Sequence, residues 1–414
     1  MEPIKIAVMG FGVVGSGTVE LIYKNKELLE ARCARSLDVK YILDLRDFPD
    51  SPYADKLTKN FEDILNDDEI SVVCELMGGK TFAYDYTKRL LEKGKSVVTS
   101  NKELVAYHGA ELLEIAKEKG CHYLFEASVG GGIPIIRPLH QCLAANRIEK
   151  IAGILNGTTN FILSKMIFDQ ISFADALSMA QELGYAEKDP TADIDGHDPC
   201  RKLCILGSLA FGKHIYPEYI HRSGIRDLTL DDVEYAENAG YAIKLIGMIE
   251  DAGEGLVATV CPRLVPVNNP LSTVNDVFNG IMVTGDALGD ALFYGKGAGK
   301  FPTASAVVAD VLDAIKNEGR EMISLNWGDS QSGDFIKHYK SASVREYVRI
   351  HCENADMLKE FITGLFGYVD FIPRKYRADN ELAFITPLMV ESQIDERLEK
   401  IREKAVIKKK IRLL

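Results

Sequence analysis

A chain of 414 residues and 45.9 kDa is too long for one small module, and at about 150 residues per domain it allows roughly three. Its 49 Lys and Arg against 61 Asp and Glu leave a formal net charge of -12, opposite to what a phosphate-tracking nucleic-acid binder needs. With 46% hydrophobic residues the chain can bury a core, while its longest charge-free stretches, 6–19 and 151–164, run only 14 residues each, too short to span a bilayer.

Residues 1–5 carry no basic stretch leading into an apolar run, so no secretory signal is expected. The eight cysteines (Cys33, Cys74, Cys121, Cys142, Cys200, Cys204, Cys261 and Cys352) are scattered and form no CxxC pair, which fits a reduced, cytoplasmic chain. Cys200 and Cys204 lie four apart on a predicted helix, but no second ligand pair accompanies them, so they point to packing rather than to a metal.

The apolar strand Lys5 to Met9 runs into Gly10-Phe-Gly12-Val-Val-Gly15, and Ser16 to Leu29 follows as an amphipathic helix. That is the setting in which a GxGxxG string binds a dinucleotide: Gly10 permits the tight turn, Gly12 lets the backbone approach a pyrophosphate, and Gly15 allows close helix packing. Further strands are expected at 39–43, 71–76, 96–99 and 122–127, each preceded by a helical pattern. Strand and helix alternate, so the fold class is α/β with a parallel, doubly wound sheet over residues 1–135. The composition breaks at Gly130-Gly-Gly132-Ile-Pro134. Beyond it, a strand at 150–155, the segment Asn156-Gly-Thr-Thr-Asn160 and long helical stretches to Gly212 describe an α+β substrate domain, assigned to 136–316. A second glycine-rich stretch, Gly295 to Ser305, enters an apolar helix and reads equally as an anion site or as a return to the first domain. Residues 317–343 are polar and suit a linker. Residues 344–414 follow a strand-helix-strand-strand-helix-strand order, a small ferredoxin-like module whose Lys408-Lys-Lys410 run suits a solvated edge-strand guard.

Cofactor form depends on the end of the second strand, where an acid holds the ribose or an Arg accepts a 2′-phosphate. The string Asp44-Leu-Arg46 offers both, and the reading favours NADP over NAD by a narrow margin. The densest polar cluster runs from Glu187 to Asp198, with five acids in 12 residues that repel one another unless cations or substrate sit among them. Asp198 and Lys202 stand at i and i+4 on one helical face, and Lys102 follows the fourth strand at its carboxyl end, the edge that faces the ligand crevice.

The pattern Ala180-x-x-x-Gly184-Tyr-Ala-x-x-Asp189-Pro190-x-x-Asp193-Ile-x-Gly196-x-Asp198-x-x-x-Lys202 resembles the signature of the homoserine dehydrogenase family at every fixed position. So do GFGVVGSG at 10–17, TSNKELVA at 99–106, FEASVGGGIPII at 125–136, LNGTTNFIL at 155–163 and FYGKGAGKFPTASAVVAD at 293–310. The resemblance implies NAD(P)-dependent interconversion of L-homoserine and L-aspartate 4-semialdehyde, on the path to threonine, methionine and isoleucine, by a dimer or higher homo-oligomer. It implies that Lys202 and Lys102 flank the reacting oxygen, with Lys202 the first choice as proton donor and Asp198 orienting it. Glu187 and Asp193 match substrate-binding positions, Glu187 suiting the ammonium, and Tyr185, Gly157 and Thr158 match pocket-lining positions. Val13, Val14, Gly78, Lys102 and Gly299 match dinucleotide contacts. A family sodium site maps onto Glu126, Val129, Gly131 and Ile133. Residues 344–414 are similar in pattern to an ACT regulatory domain, the family's appendage for threonine feedback, but the usual Asp-x-Pro-Gly-Val-Leu turn is replaced by Glu353-Asn-Ala355-Asp356-Met-Leu358. Without Pro and Gly the tight turn is lost, and the module is expected to serve assembly, with threonine inhibition weak or altered. Two other readings compete: a phosphorylating semialdehyde dehydrogenase, which needs a Cys–His arrangement the sequence does not compel, and a catalytically silent amino-acid sensor, against which Lys102, Asp198 and Lys202 stand.

Overall fold

The computed structural model describes residues 3–319, 325, 327–330, 332–374 and 380–414. Its N-terminal sheet comprises β1 (Ile4–Met9), β2 (Leu37–Leu43), β3 (Leu57–Thr58), β4 (Ile70–Glu75), β5 (Ser96–Thr99) and β6 (Tyr123–Leu124), in the order β3-β2-β1-β4-β5-β6 with every pair parallel. Helices cover both faces, which is why Ile6, Val8, Val73 and Val98 are wholly buried and the strands read as continuous apolar runs. Strand order reverses between β1 and β4, and a crevice at their carboxyl ends is the consequence. The first helix starts earlier than its amphipathic pattern suggested, at Val13, and ends at Lys24; Asn25 then separates it from a second helix, Lys26–Cys33. The strand expected over 122–127 is only Tyr123–Leu124, because a helical turn at Glu126–Ser128 follows at once.

The middle domain is built on β7 (Ile148–Ile154), β8 (His221–Arg222), β9 (Tyr241–Asp251), β10 (Leu256–Pro266), β11 (Phe278–Gly285) and β12 (Gly289–Lys296). The long β9–β10 hairpin is buried along almost its whole length, so its sequence shows no alternation to betray it. Helix His197–Phe211 presses onto β9 where side chains are smallest. A Cβ on Gly207 would lie 2.8 Å from Ile249, and one on Gly247 would lie 3.0 Å from Leu155. The Gly295–Ser305 stretch resolves into the end of β12, a turn, and a helix, Lys300–Lys316, that returns to pack on Val13–Lys24, so close that a Cβ on Gly17 would lie 2.7 Å from Lys300.

Part of the polar 317–343 stretch, including Arg320 to Ser324, Asn326 and Gln331, lies outside the described residues. The described part is strapped to the middle domain. Trp327 is buried and donates its indole N–H to His214 at 2.8 Å, and Leu256 donates its amide to the Phe335 carbonyl and accepts the Lys337 amide, both at 2.8 Å. The C-terminal module adds β13 (Ser343–Val344), β14 (Glu346–His351), β15 (Asp370–Phe371), β16 (Glu381–Ile385), β17 (Met389–Val390) and β18 (Val406–Leu413), with helices Ala355–Phe366 and Glu391–Arg402. Four of these strands lie in the order β18-β14-β16-β15, the ferredoxin-like arrangement. The edge-guard reading of Lys408–Lys410 is corrected here. β18 is antiparallel to β14 along its length and joined in parallel to β10 only at its end, through Arg263–Arg412 and Leu264–Leu413, so one sheet runs through both units and only Lys408 of the run stays exposed. Lys410 is accordingly half-buried and paired with Asp395 at 2.7 Å and Glu346 at 3.2 Å.

Candidate functional site

Three elements bring one polar cluster together. Lys102 opens helix Lys102–Lys119 directly after β5, and Asn101 caps that helix by accepting from the Leu104 amide at 3.1 Å. Asp198 stands in the first turn of His197–Phe211, with Lys202 one turn on. Asn156 caps helix Gly157–Phe168 at the end of β7. The Asp198 carboxylate bridges two ammonium groups, Lys102 at 2.5 Å and Lys202 at 2.8 Å. Lys202 also donates to the Leu155 carbonyl at 2.7 Å, and Asn156 donates to Asp198 at 2.8 Å and to Asp193 at 2.7 Å. Lys202 and Asp198 are buried, whereas the Lys102 side chain remains 39% exposed towards the crevice.

This geometry splits the two lysines. Burial pulls the Lys202 ammonium below the ordinary lysine range, against the pull of Asp198. Lys102 is pushed up, because the Asp198 charge outweighs its burial. Burial would raise Asp198, but the Lys202 and Lys102 charges prevail and hold it well below the usual carboxylate range. Asp193 goes the other way: burial lifts it, only partly offset by the Asn156 hydrogen bond. The cluster therefore holds a fixed anion, a firmly charged lysine and a second lysine poised to exchange its proton.

Around it, the Thr158 hydroxyl donates to the Tyr185 carbonyl at 2.6 Å, and the exposed Tyr185 ring meets Phe161 edge-on at 5.0 Å. Gly157 opens its helix where a Cβ would lie 2.8 Å from the Val277 carbonyl. Glu187 stands exposed on the loop two residues beyond Tyr185, apart from the buried ion chain. Asn156 was not singled out from sequence; an Asn before Gly-Thr-Thr at the end of an apolar strand is the N-cap signal that would have found it.

At the crevice, Gly10 adopts φ +94°, where a Cβ would lie 2.7 Å from the Leu76 carbonyl oxygen, and a Cβ on Gly15 would overlap the Gly10 carbonyl. Gly12 caps the helix that begins at Val13, which is exposed, and Val14, which is half-buried; space remains over Gly12, whose nearest neighbour is Arg46. That is a cradle for a pyrophosphate at a helix N-terminus. Asp44 accepts the Phe11 amide at 2.8 Å and forms a double contact with Arg46 at 2.8 and 3.0 Å, so the Arg46 guanidinium holds it well below the usual carboxylate range. Arg46 itself is exposed and lies over Phe48 at 5.1 Å. Gly78, at φ +81°, borders the crevice beside Gly79, whose carbonyl accepts from Asn101 at 2.6 Å, and Gly299 opens the returning helix.

Glu126 is buried, and its carboxylate accepts the amides of Ile135, Ile136 and Arg137 at 2.6, 2.9 and 2.8 Å. The carbonyls of Val129, Gly131 and Ile133 accept no backbone hydrogen bond from the described residues. All four residues offer oxygen, the donor chemistry of a hard cation, though the Glu126 carboxylate is largely spent on the turn it caps.

Residues 134–312 match the family model described as homoserine dehydrogenase, and residues 10–126 match that of the homoserine dehydrogenase NAD binding domain. The chain is 44% identical over 317 residues to the homoserine dehydrogenase of Pseudomonas aeruginosa, covering 76% of this chain and 73% of that protein. The crystal structure of a homoserine dehydrogenase from Thiobacillus denitrificans superposes with a TM-score of 0.90 at 36% identity, over 100% of this chain and 99% of that one. A hyperthermophilic archaeal homoserine dehydrogenase mutant in complex with NADPH matches with a TM-score of 0.64 at 27% identity, over 76% of this chain and 98% of that one.

Proposed function

This chain belongs to the homoserine dehydrogenase family, and from that premise we propose how its own residues carry out the oxidoreduction of L-homoserine and L-aspartate 4-semialdehyde. The observation that supports the reading is the Lys102–Asp198–Lys202 ion chain beside a dinucleotide cradle. When bound, the nicotinamide dinucleotide supplies or accepts the hydride. In the oxidative direction the substrate hydroxyl gives its proton to neutral Lys202, and in reduction Lys202 returns it to the substrate oxygen. Lys202 spends two directions on Asp198 and Leu155, leaving a third for the substrate oxygen. Lys102 stays charged and stabilises the developing alkoxide. Asp198 orients both amines, and Asn156 fixes Asp198. Glu187 takes the substrate ammonium, Asp193 a second polar group, and Tyr185, Gly157 and Thr158 line the pocket.

Gly10, Gly12, Val13, Val14 and Gly15, with Gly78, Lys102 and Gly299 at the border, would hold the dinucleotide. Arg46, exposed beside Gly12, receives a 2′-phosphate, which makes NADP the preferred form, with Asp44 available for an NAD ribose. Glu126 and the carbonyls of Val129, Gly131 and Ile133 would hold a sodium ion and order the crossing between the first two domains. The C-terminal module is an ACT-type unit whose effector turn has closed. Asn354 accepts the Asp356 and Met357 amides, both at 3.1 Å, the groups an effector would otherwise meet. The exposed Leu292 and Tyr294 on the terminal strand β12 suit pairing with a second copy, giving a homodimer. Eight free cysteines suit the cytoplasm, and no described helix is long and apolar enough to cross a membrane. Homoserine-dependent reduction of NADP or NAD, followed by absorbance, tests the reading; no signal with either would overturn it.

A further inference from the structure

A second buried lysine lies in the middle domain, outside the ion chain. Lys244 on β9 is fully buried, and its ammonium meets only neutral acceptors: the Val274 carbonyl at 2.6 Å, Asn275 Oδ1 at 2.8 Å and Asn160 Oδ1 at 3.3 Å. It makes no ion pair with a described residue. A buried cation without a carboxylate is costly, as breaking a buried ion pair is, so its presence calls for a reason beyond packing. Among the described residues, Asp276 in the adjoining loop is the charged group that acts on it.

What Lys244 holds is the floor under the substrate pocket. Asn160 lies in the first turn of helix Gly157–Phe168 and donates in turn to the carbonyls of Val274 and Phe278, at 3.2 and 3.1 Å. The Asp276 amide donates to Ser164 at 2.9 Å, and the Val277 carbonyl lies against Gly157. The loop 274–278 is thereby stitched along the first two turns of that helix. At the helix start, Asn156 satisfies the amides of Thr159 and Asn160, whereas those of Gly157 and Thr158 meet no acceptor among the described residues. Helix N-termini favour anions, and a positive charge buried in the first turn adds to that field in a low dielectric.

The geometry points to Lys244 as a positioning residue for the substrate α-carboxylate: through Asn160 and the 274–278 loop it holds the Gly157–Thr158 amides in place and adds positive charge behind them. This rests on homoserine as the substrate, and it accounts for the charge that Glu187, assigned to the ammonium, leaves unpartnered.

The test compares steady-state kinetics of the full chain and Lys244→Met against L-homoserine and against 3-amino-1-propanol, which lacks the carboxylate. For Lys244→Met the KM for homoserine should rise about tenfold with kcat changed less than about threefold and the dinucleotide KM unchanged, while the slow turnover of 3-amino-1-propanol is unaffected. Burial lowers Lys244 to about 8, so the wild-type KM for homoserine should also climb as pH rises through that value, and the variant's should not. Loss of kcat with both substrates alike, or a KM for homoserine that stays put, would overturn the assignment, and Lys244→Gln separates charge from side-chain length if Lys244→Met does not fold. Wild-type homoserine turnover is read in the same assay, so failure of the substrate reading is distinguishable from failure of this one.

Discussion

Two buried ionic clusters in this molecule are built from similar residues and do opposite things. At the joint between the middle domain and the C-terminal module, Arg349 meets Asp232 at 3.0 Å, Asp231 at 3.1 Å and Glu381 at 3.2 Å, and Arg374 meets Asp231, Glu234 and Glu381 at 2.6 to 2.9 Å. Thr229 and Asp232 also form the capping box of helix Leu230–Asn238. Here permanently charged guanidinium forks answer carboxylates in several directions at once, and no proton is available to move. In the Lys102–Asp198–Lys202 cluster the cations are lysines, both share one carboxylate, and burial displaces one of them from its ordinary range. Saturated Arg–carboxylate pairing welds two units; under-compensated lysine pairing leaves a proton free to transfer.

That contrast can be broken by substitution. The largest effect is expected from Asp198→Asn, with kcat down by about 10²-fold or more, because both lysines lose their anchor. On the proposed mechanism homoserine oxidation needs neutral Lys202, so its rate should rise with pH; Asp198 favours the charged form, and its loss should move that rising limb to lower pH. An unmoved limb would show that Asp198 does not act through Lys202. Arg349→Met should do the reverse. It leaves the fully buried Asp232 uncompensated and costs about 3–5 kcal/mol of stability, read as a lower denaturation midpoint, with kcat per folded molecule unchanged. Arg46→Ala, on the exposed rim, should lower kcat/KM for NADP by about tenfold or more, roughly 1.4 kcal/mol, and leave NAD within a factor of about two. The smallest effect is reserved for threonine. With the Asp356 and Met357 amides already taken by Asn354, millimolar threonine should leave initial rates nearly unchanged, and full inhibition would refute the closed-turn reading.

Much of this was legible in the sequence. The parallel sheet announced itself because strands buried on both faces read as apolar runs separated by glycine turns, and the Asp198–Lys202 pair because an i, i+4 spacing places both on one helical face. Lys102 joins them from a distant helix, a proximity no local spacing encodes; only the family resemblance connected the two. β9 and β10 escaped notice because full burial erases alternation. The Lys408–Lys410 run misled for the opposite reason: three lysines in a row look solvated, and Lys408 is exposed, yet acids from β14 and helix Glu391–Arg402 meet Lys410. The polar 317–343 stretch reads as a linker because the hydrogen bonds of its described part to the middle domain are largely backbone bonds, which composition does not show.

The central claim is that this cluster oxidises homoserine with Lys202 as the proton acceptor. Absorbance of the reduced dinucleotide, followed with L-homoserine and either NADP or NAD for the wild-type chain and Lys202→Ala, tests it most directly. The account predicts a homoserine-dependent rise for wild type and a kcat lower by about 10²–10⁴-fold for the folded variant. A wild-type chain silent with both dinucleotides, or a Lys202→Ala rate equal to wild type, would contradict it.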